Sequence, residues 1–286
     1  MARTVYVNGQ YLDEQQASVS IFDRGFLFGD AVYEVTAVVD GKLWDLDDHL
    51  RRLHRSAAGL GIECPWSEEQ LREIHQTLVA KNSLHEGVIY LQLSRGNTGD
   101  RDFSYADISN PPTLILFTQQ KTLVDVPKAS TGIKAVTQPD VRWQRRDLKT
   151  VSLLAASMAY TWARQHGADD ALLVEDGMIT EGTSSNVFMV TADNTVITRP
   201  LGSGILPGTT RRLLLSIIDK QGLKLEERVF SPQEAQQARE LFISSTTALI
   251  MPIVELDGVT IGEGKPGPVA MAMRQGLIDW IRQSEK

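Results

Sequence analysis

The stretch RWQRRDLKTVSLLAASMAY, Arg142 to Tyr160, sets Lys149 where a charged turn gives way to a helix-forming apolar run. Most lysines of a folded domain point into water, but this one precedes Val151, Leu153 and Leu154, at the threshold of a segment expected to be buried. Partial desolvation would favour a neutral, nucleophilic amine of the kind that condenses with a carbonyl. A plain solvent-facing lysine beside Asp147 fits the same residues, and the local sequence leaves both readings open. Arg142, Arg145 and Arg146, around Trp143, read as a solvated turn with no catalytic role.

A chain of 286 residues is long for one core and short for three, so two domains are expected. The boundary is placed in the polar stretch QQKTLVDVPKASTG, giving a small domain over 1–120, a linker over 121–131 and a larger domain over 132–286. A net charge of -7 argues against nucleic acid or an acidic membrane as partner, because either needs a basic surface. Small molecules are the expected ligands. The single cysteine, Cys64, forms no internal disulfide, and the opening MARTVYVNGQYL lacks the apolar core of an export signal, so the cytoplasm is the expected location. The longest apolar runs, such as TALIMPIVEL, fall short of the roughly 20 residues of a membrane helix.

Alternating apolar residues around Asn8-Gly9 predict a two-residue hairpin. VYEVTAVVDGKLW continues in strands, and Leu46, Leu50, Leu53, Ala57 and Leu60 then switch to helical spacing behind Asp47 and Asp48. Ser67 with Gln70 marks the capping box of a second helix. GVIYLQLSRG and PTLILFTQQ read as strands around a polar loop, Asn97 to Pro112, long enough to have a function. The second half predicts a strand from Ile133 to Gln138, a helix from about Leu153 to Gln165, further strands, a helix after Pro207-Gly208, another capped by Ser231, and a terminal helix.

Three other segments carry candidate chemistry. In MITEGTSSNVF, Glu181 ends a strand before small hydroxyl residues, either as a polar hairpin turn or as a carboxylate poised on a ring nitrogen. In SGILPGTTRRLLL, Thr209 and Thr210 open a helix behind Gly208, either as a simple cap or as a cradle for a phosphate. ISSTTAL offers hydroxyls from Ser244 to Thr247, which also suit a strand. Arg52 lies one residue off the apolar face of its helix, and Tyr33 sits in FGDAVYEV. Arg95 and Arg101 occupy the polar loop, where arginine suits carboxylate capture or ordinary surface.

The ordered set DRGFLFGDAVYEV, HLRRL, SRG, DLKTVSLL, EGTSSNVF, ILPGTTR and SSTTAL resembles the fold-type IV pyridoxal phosphate enzymes over nearly the whole chain. Within them it is most similar to the D-amino-acid aminotransferases. The resemblance implies a two-domain α+β / α/β architecture, a small α+β domain plus a larger pseudo-barrel domain with the cofactor between them, and a homodimer. It implies that Lys149 is catalytic and binds the aldehyde of pyridoxal 5'-phosphate as a Schiff base, and that Glu181 pairs with the pyridine nitrogen. Arg52, Thr209, Thr210, Ser245 and Thr246 would complete the cofactor site, with Arg52 and the threonines on the phosphate. Tyr33, Val35, Thr247, Arg101 and Arg24, the last from the neighbouring subunit, would contact substrate. The activity implied is ping-pong transamination between a D-amino acid and a 2-oxo acid, pyruvate or 2-oxoglutarate.

The loop RGNTGDRDF departs from that pattern, since no histidine follows two residues after Arg101 and Asp102 would repel a carboxylate. The alternatives on the same fold are an (R)-selective amine transaminase, a branched-chain L-amino-acid aminotransferase and an aminodeoxychorismate lyase. The branched-chain enzymes fit less well, because their EGIR element stands where this chain has YEVTA. Outside catalysis, the alternative is a binder of phosphorylated metabolites that uses only the 205–211 cradle.

Overall fold

The computed structural model describes residues 2–104 and 110–283, so residues 105–109 of the polar loop lie outside the described residues. The chain divides into two compact units, one of residues 1–122 with Leu148–Ser152, the other of Leu123–Asp147 with 153–286.

In the first unit the order is β1 (Thr4–Val7), β2 (Gln10–Asp13), α1 (Arg24–Phe28), β3 (Ala31–Val39), β4 (Lys42–Leu43), α2 (Leu46–Leu60), α3 (Glu68–Lys81), β5 (Gly87–Ser94) and β6 (Thr113–Gln120). The expected hairpin forms with Val7 opposite Gln10, because Asn8 and Gly9 both take positive φ, 45° and 95°, as a primed two-residue turn requires. The strands make one antiparallel sheet in the order β2-β1-β6-β5-β3-β4. Leu46, Leu50, Leu53 and Ala57 of α2 and Leu71, Ile74 and Leu78 of α3 bury against Ile89, Leu91, Leu93, Leu114 and Leu116 of the sheet. Each such leucine or isoleucine contributes about 1.5–3 kcal/mol. The Ser67–Gln70 capping box closes the start of α3. Helix α1, capped by Asp23, has too few residues to show a periodic pattern in sequence.

Residues 148–152 join this unit along β3. Thr150 bridges Val32, the Tyr33 amide donates to the Lys149 carbonyl at 3.0 Å, and the Val151 amide donates to the Ala31 carbonyl at 3.1 Å.

The second unit runs α4 (Lys128–Thr131), β7 (Ile133–Pro139), α5 (Leu154–Gln165), β8 (Asp170–Glu175), β9 (Met178–Gly182), β10 (Asn186–Val190), β11 (Val196–Thr198), α6 (Thr209–Lys220), β12 (Leu225–Glu227), α7 (Pro232–Gln236), β13 (Glu240–Ser245), β14 (Leu249–Leu256), β15 (Val259–Thr260) and α8 (Pro268–Gln283). Its mixed sheet has the order β12-β11-β10-β13-β14-β7-β8-β9, with β15 on β14. Parallel pairing of β14 with β7 and of β7 with β8 interrupts an otherwise mostly antiparallel ladder. Phe188 and Phe242 stack in its interior with centroids 5.2 Å apart.

Two expectations are corrected here. The segment after Lys149 is not buried: Leu154 is 75% and Met158 63% exposed, with Tyr160 and Trp162 also outside, while Ala156, Ala159 and Ala163 face inward. The helix presents its small side to its own core and its large apolar side outward. The turn RWQRR is not simply solvated either. Arg146 is buried against Glu175, Arg142 is half-buried against Asp140 and Glu181, and of the three arginines only Arg145 is a surface residue, paired with Asp147.

Candidate active site

In the first unit the pleat of β3 sorts the side chains: Tyr33 and Val35 share one half-buried face, while Glu34 points the other way, into the interface with α2. The Lys149 amine lies 4.3 Å from the centre of the Tyr33 ring, a cation–π distance that fixes its direction. Its own amide donates to Ser56 Oγ at 3.2 Å, so side chain and backbone are both positioned by the α2–β3 layer. The signal that missed this in sequence is the spacing, since Ser56 is 93 residues away.

Arg52 is buried and meets Glu34 with a two-point fork, Nε to Oε1 and Nη2 to Oε2, both 2.7 Å. His49 Nδ1 adds 2.7 Å to Glu34 Oε2. Burial opposes ionisation of Glu34, yet the charge and hydrogen bonds of Arg52, with His49, hold its carboxyl well below the usual range. An ionised Glu34 makes the His49 nitrogen the donor. The Arg52 fork is thus oriented before any ligand arrives.

In the second unit Glu181 is 4% exposed and accepts three hydrogen bonds. They come from Arg142 Nη1 at 2.6 Å on Oε1, and from the Leu206 amide at 3.0 Å and Asn186 Nδ2 at 3.3 Å on Oε2. Arg142 in turn grips Asp140 at 2.7 and 2.9 Å, and Asp140 also accepts from Thr180. Burial pushes the Glu181 carboxyl above its ordinary value against the pull of Arg142. Despite its own burial, Arg142 is held protonated by Asp140 and Glu181. Sequence reasoning passed over Arg142 because the partner Glu181 is 39 residues distant and nothing separates this arginine from its two neighbours.

Two neighbouring segments meet the same carboxylate through Asn186 and Leu206. Asn186 of β10 lies opposite Ser244 of β13, and its Nδ2 also donates to the Leu206 carbonyl at 2.9 Å. A side chain at Gly208 would bring its Cβ within 2.2 Å of Asn186 Oδ1, so only glycine lets the start of α6 approach this closely. Gly208, not a threonine, is the N-cap of α6, and it gives no side-chain bond; Thr209 and Thr210 are buried in the first turn. Ser245 ends β13 and Thr246 and Thr247 enter the half-buried turn to β14, where Ser245 Oγ accepts from the Ala248 amide at 3.1 Å.

The two expected carboxylate arginines are differently disposed. Arg24 is 4% exposed and committed to its own loop, Nε to Asp30 at 2.8 Å and Nη1 to the carbonyl of Asp102 at 2.7 Å. Arg101 is exposed, its guanidinium 4.5 Å and 5.1 Å from the ring centres of Phe103 and Phe28. Arg95 is buried on Asp30 and on the carbonyls of Leu60 and Gly61, a structural clasp.

These residues suit pyridoxal phosphate by their donor chemistry. A carboxylate accepts about four hydrogen bonds, and Glu181 has three among the described residues, so one acceptor position on a buried carboxyl group is left for a ring N–H. The Ser185 and Ser244 hydroxyls are buried without a hydrogen-bond partner among the described residues, beside Gly182 and opposite Asn186. Thr209 and Thr210 open α6 behind Gly208, and the amides of a helix start suit an anion.

The architecture is that of the fold-type IV enzymes. A branched-chain amino acid aminotransferase from Escherichia coli superposes with a TM-score of 0.90 at 25% identity, covering 98% of this chain and 95% of its own. A branched-chain aminotransferase from Thermoproteus uzoniensis, solved with norvaline, gives 0.88 at 26% identity over 100% and 97%. The sequence model for amino-transferase class IV matches residues 31–256, and the chain belongs to that family, whose members depend on pyridoxal phosphate. Among relatives, a D-alanine aminotransferase from Bacillus licheniformis is 38% identical over 277 residues, 97% of this chain and 96% of the relative. Another from Listeria monocytogenes serotype 1/2a is 34% identical over 280 residues, 98% and 96%.

Proposed function

We propose that this aminotransferase moves the amino group of a D-amino acid to a 2-oxo acid, with D-alanine and pyruvate the first pair to test. The observation that carries the reading is the buried Glu181 with three donors and one remaining acceptor position. Identity to the two D-alanine aminotransferases exceeds that to the branched-chain structures, 38% and 34% against 25% and 26%, and favours the D-substrate over the branched-chain L-substrate.

Pyridoxal phosphate, when bound, supplies an aldehyde that takes up amines and a ring that draws electrons from the α-carbon. Lys149 would hold it covalently through Nζ, and once released would take the substrate α-proton as general base. The Tyr33 ring under Nζ keeps that amine pointed one way, so the proton is handled on one face. Glu181, kept in place by Arg142, Asn186 and Leu206, would accept the ring N–H and keep the nitrogen protonated. Arg52, Thr209, Thr210, Ser245 and Thr246 would hold the phosphate, Arg52 with an orientation set by Glu34.

Val35 and Thr247 would line the substrate side with Tyr33. For the substrate carboxylate we assign Arg101 rather than Arg24. Arg101 is exposed with its guanidinium close to the Phe28 and Phe103 rings, whereas Arg24 is buried and spent on Asp30 and loop carbonyls. A second copy of the chain would cover the apolar outer face of α5, making a homodimer. The lone Cys64 and the ordinary soluble composition fit the cytoplasm; among the described residues no helix is long and apolar enough to cross a membrane.

The test is a single turnover without acceptor. Holoenzyme mixed with D-alanine should release one pyruvate per site, L-alanine and L-leucine none, and D-glutamate and (R)-1-phenylethylamine measure the breadth of the site. Preference for L-leucine would reject the assignment. Borohydride treatment should leave the mass of the coenzyme on the peptide that contains Lys149, and Lys149→Ala should lose both that label and turnover.

A further inference from the structure

The buried Arg274 of α8 has no place in the scheme above. It is 4% exposed, and among the described residues its hydrogen bonds run to four main-chain carbonyls and to no carboxylate. Nη1 donates to Ala248 at 3.0 Å and Ile250 at 2.8 Å; Nη2 donates to Leu123 at 3.2 Å and Val124 at 2.7 Å. Nearby Asp125 offsets part of the charge, yet burying a cation whose hydrogen bonds go to neutral carbonyls is costly, so the contact needs a reason beyond filling space.

The reason lies between the two carbonyls held by Nη1. Leu249, fully buried, has φ of 54°, the left-handed backbone conformation in which a leucine Cβ crowds its own carbonyl and which glycine usually takes. This residue ends the turn Thr246–Ala248, pairs with Ser245 across the hairpin and starts β14. Arg274 therefore clamps the carbonyl on each side of the strained residue, and the same fork anchors both to Leu123 and Val124, where the chain enters the second unit. Strain of this kind persists only where the surroundings over-determine it, and it gathers beside functional loops.

We propose that Arg274 is a positioning residue for the phosphate end of the cofactor: it holds Leu249 left-handed and so keeps Ser245, Thr246 and Thr247 turned toward the ligand. The inference rests on the reading that this turn holds phosphate. Releasing the clamp lets Leu249 relax to negative φ, which rotates the Ala248–Leu249 peptide, shifts the turn whose Ala248 amide donates to Ser245, and so turns the hydroxyls away.

The experiment titrates the full chain, stripped of coenzyme, with pyridoxal phosphate and with pyridoxal, which lacks only the phosphate, following tryptophan fluorescence. Arg274→Met should weaken pyridoxal phosphate by about tenfold or more, the worth of a charge-assisted hydrogen bond, and pyridoxal by less than about twofold. Should the methionine variant not fold, Arg274→Lys, which keeps the charge but is unable to span both pairs of carbonyls, reads the same selectivity. Equal weakening of the two ligands, or none, overturns the proposal and leaves Arg274 a general brace. Thr246→Ala separates the two levels. If it weakens pyridoxal phosphate while both Arg274 variants bind normally, only the positioning role fails. If it leaves pyridoxal phosphate binding intact, the assignment of the turn to phosphate fails and this inference with it.

Discussion

Arg142 Nη1 and Glu181 Oε1 lie 2.6 Å apart at a buried junction, and Asp140 takes the other edge of the same guanidinium. A charged residue from a turn thus secures the carboxylate proposed to meet the coenzyme ring, and its removal has a cost separate from that of the carboxylate.

Glu181→Gln should lower kcat by about two to three orders of magnitude, as expected when a preorganised charge partner is neutralised. Stability should move the other way. Burial raises the Glu181 carboxyl, so its contribution to the coenzyme-free fold is present below the unfolded value of 4.5 and is lost as pH climbs through the folded one. Glutamine has no such loss, and the variant should gain on wild type in urea unfolding as pH rises above 4.5. Arg142→Met, with Leu206 and Asn186 still donating, should cost about ten- to a hundredfold in kcat. Full activity in either variant would remove the pair from the mechanism.

Glu34 presents the opposite sign. Arg52 and His49 hold its carboxyl low against burial, so its stabilisation is present above 4.5 and is lost as pH falls toward the folded value. Glu34→Gln should destabilise the coenzyme-free chain by roughly 3–5 kcal/mol at neutral pH, the usual cost of breaking a buried pair from one side, with the deficit narrowing below pH 4.5. Urea midpoints at pH 7 and pH 4 measure it, and a pH-independent difference would contradict the assignment.

His75 is a buried imidazole bonded to the Leu71 carbonyl at 2.7 Å. Burial, opposed by that bond, lowers its pKa from 6.5 to about 4, so folding disfavours the charged form and stability is lost as pH falls between those values. The slope from this one group is up to about 1.4 kcal/mol per pH unit. His75→Leu should gain on wild type steadily from pH 6.5 down to about 4, whereas parallel unfolding curves would show that His75 stays neutral in both states.

Leu154→Asp combined with Met158→Glu places two charges on the exposed apolar face of α5 without touching its buried alanines. Light scattering should report a shift from dimer toward monomer with little change in helix content. Unchanged mass would assign the face to some other partner.

Local chemistry was legible without coordinates where its period is short. Asn8-Gly9 specified a hairpin, the spacing of Leu46, Leu50, Leu53 and Ala57 a helix, and Ser67 with Gln70 its neighbour's start, because each signal lies within one or two turns of chain. The motifs around Lys149, Glu181 and Gly208-Thr209 marked candidate residues for the same reason. The partners of those residues came only from tertiary structure. Glu34 is 18 residues from Arg52, Arg142 is 39 from Glu181, and Arg274 is about 150 from Leu123 and Val124. Such contacts are set by which strands pair and which helix packs over them, and one guanidinium looks like another until a buried carboxylate or a row of carbonyls faces it. The same distinction explains α5: composition marks Leu154 and Met158 as apolar, but only packing, with three alanines turned inward, decides that they face outward.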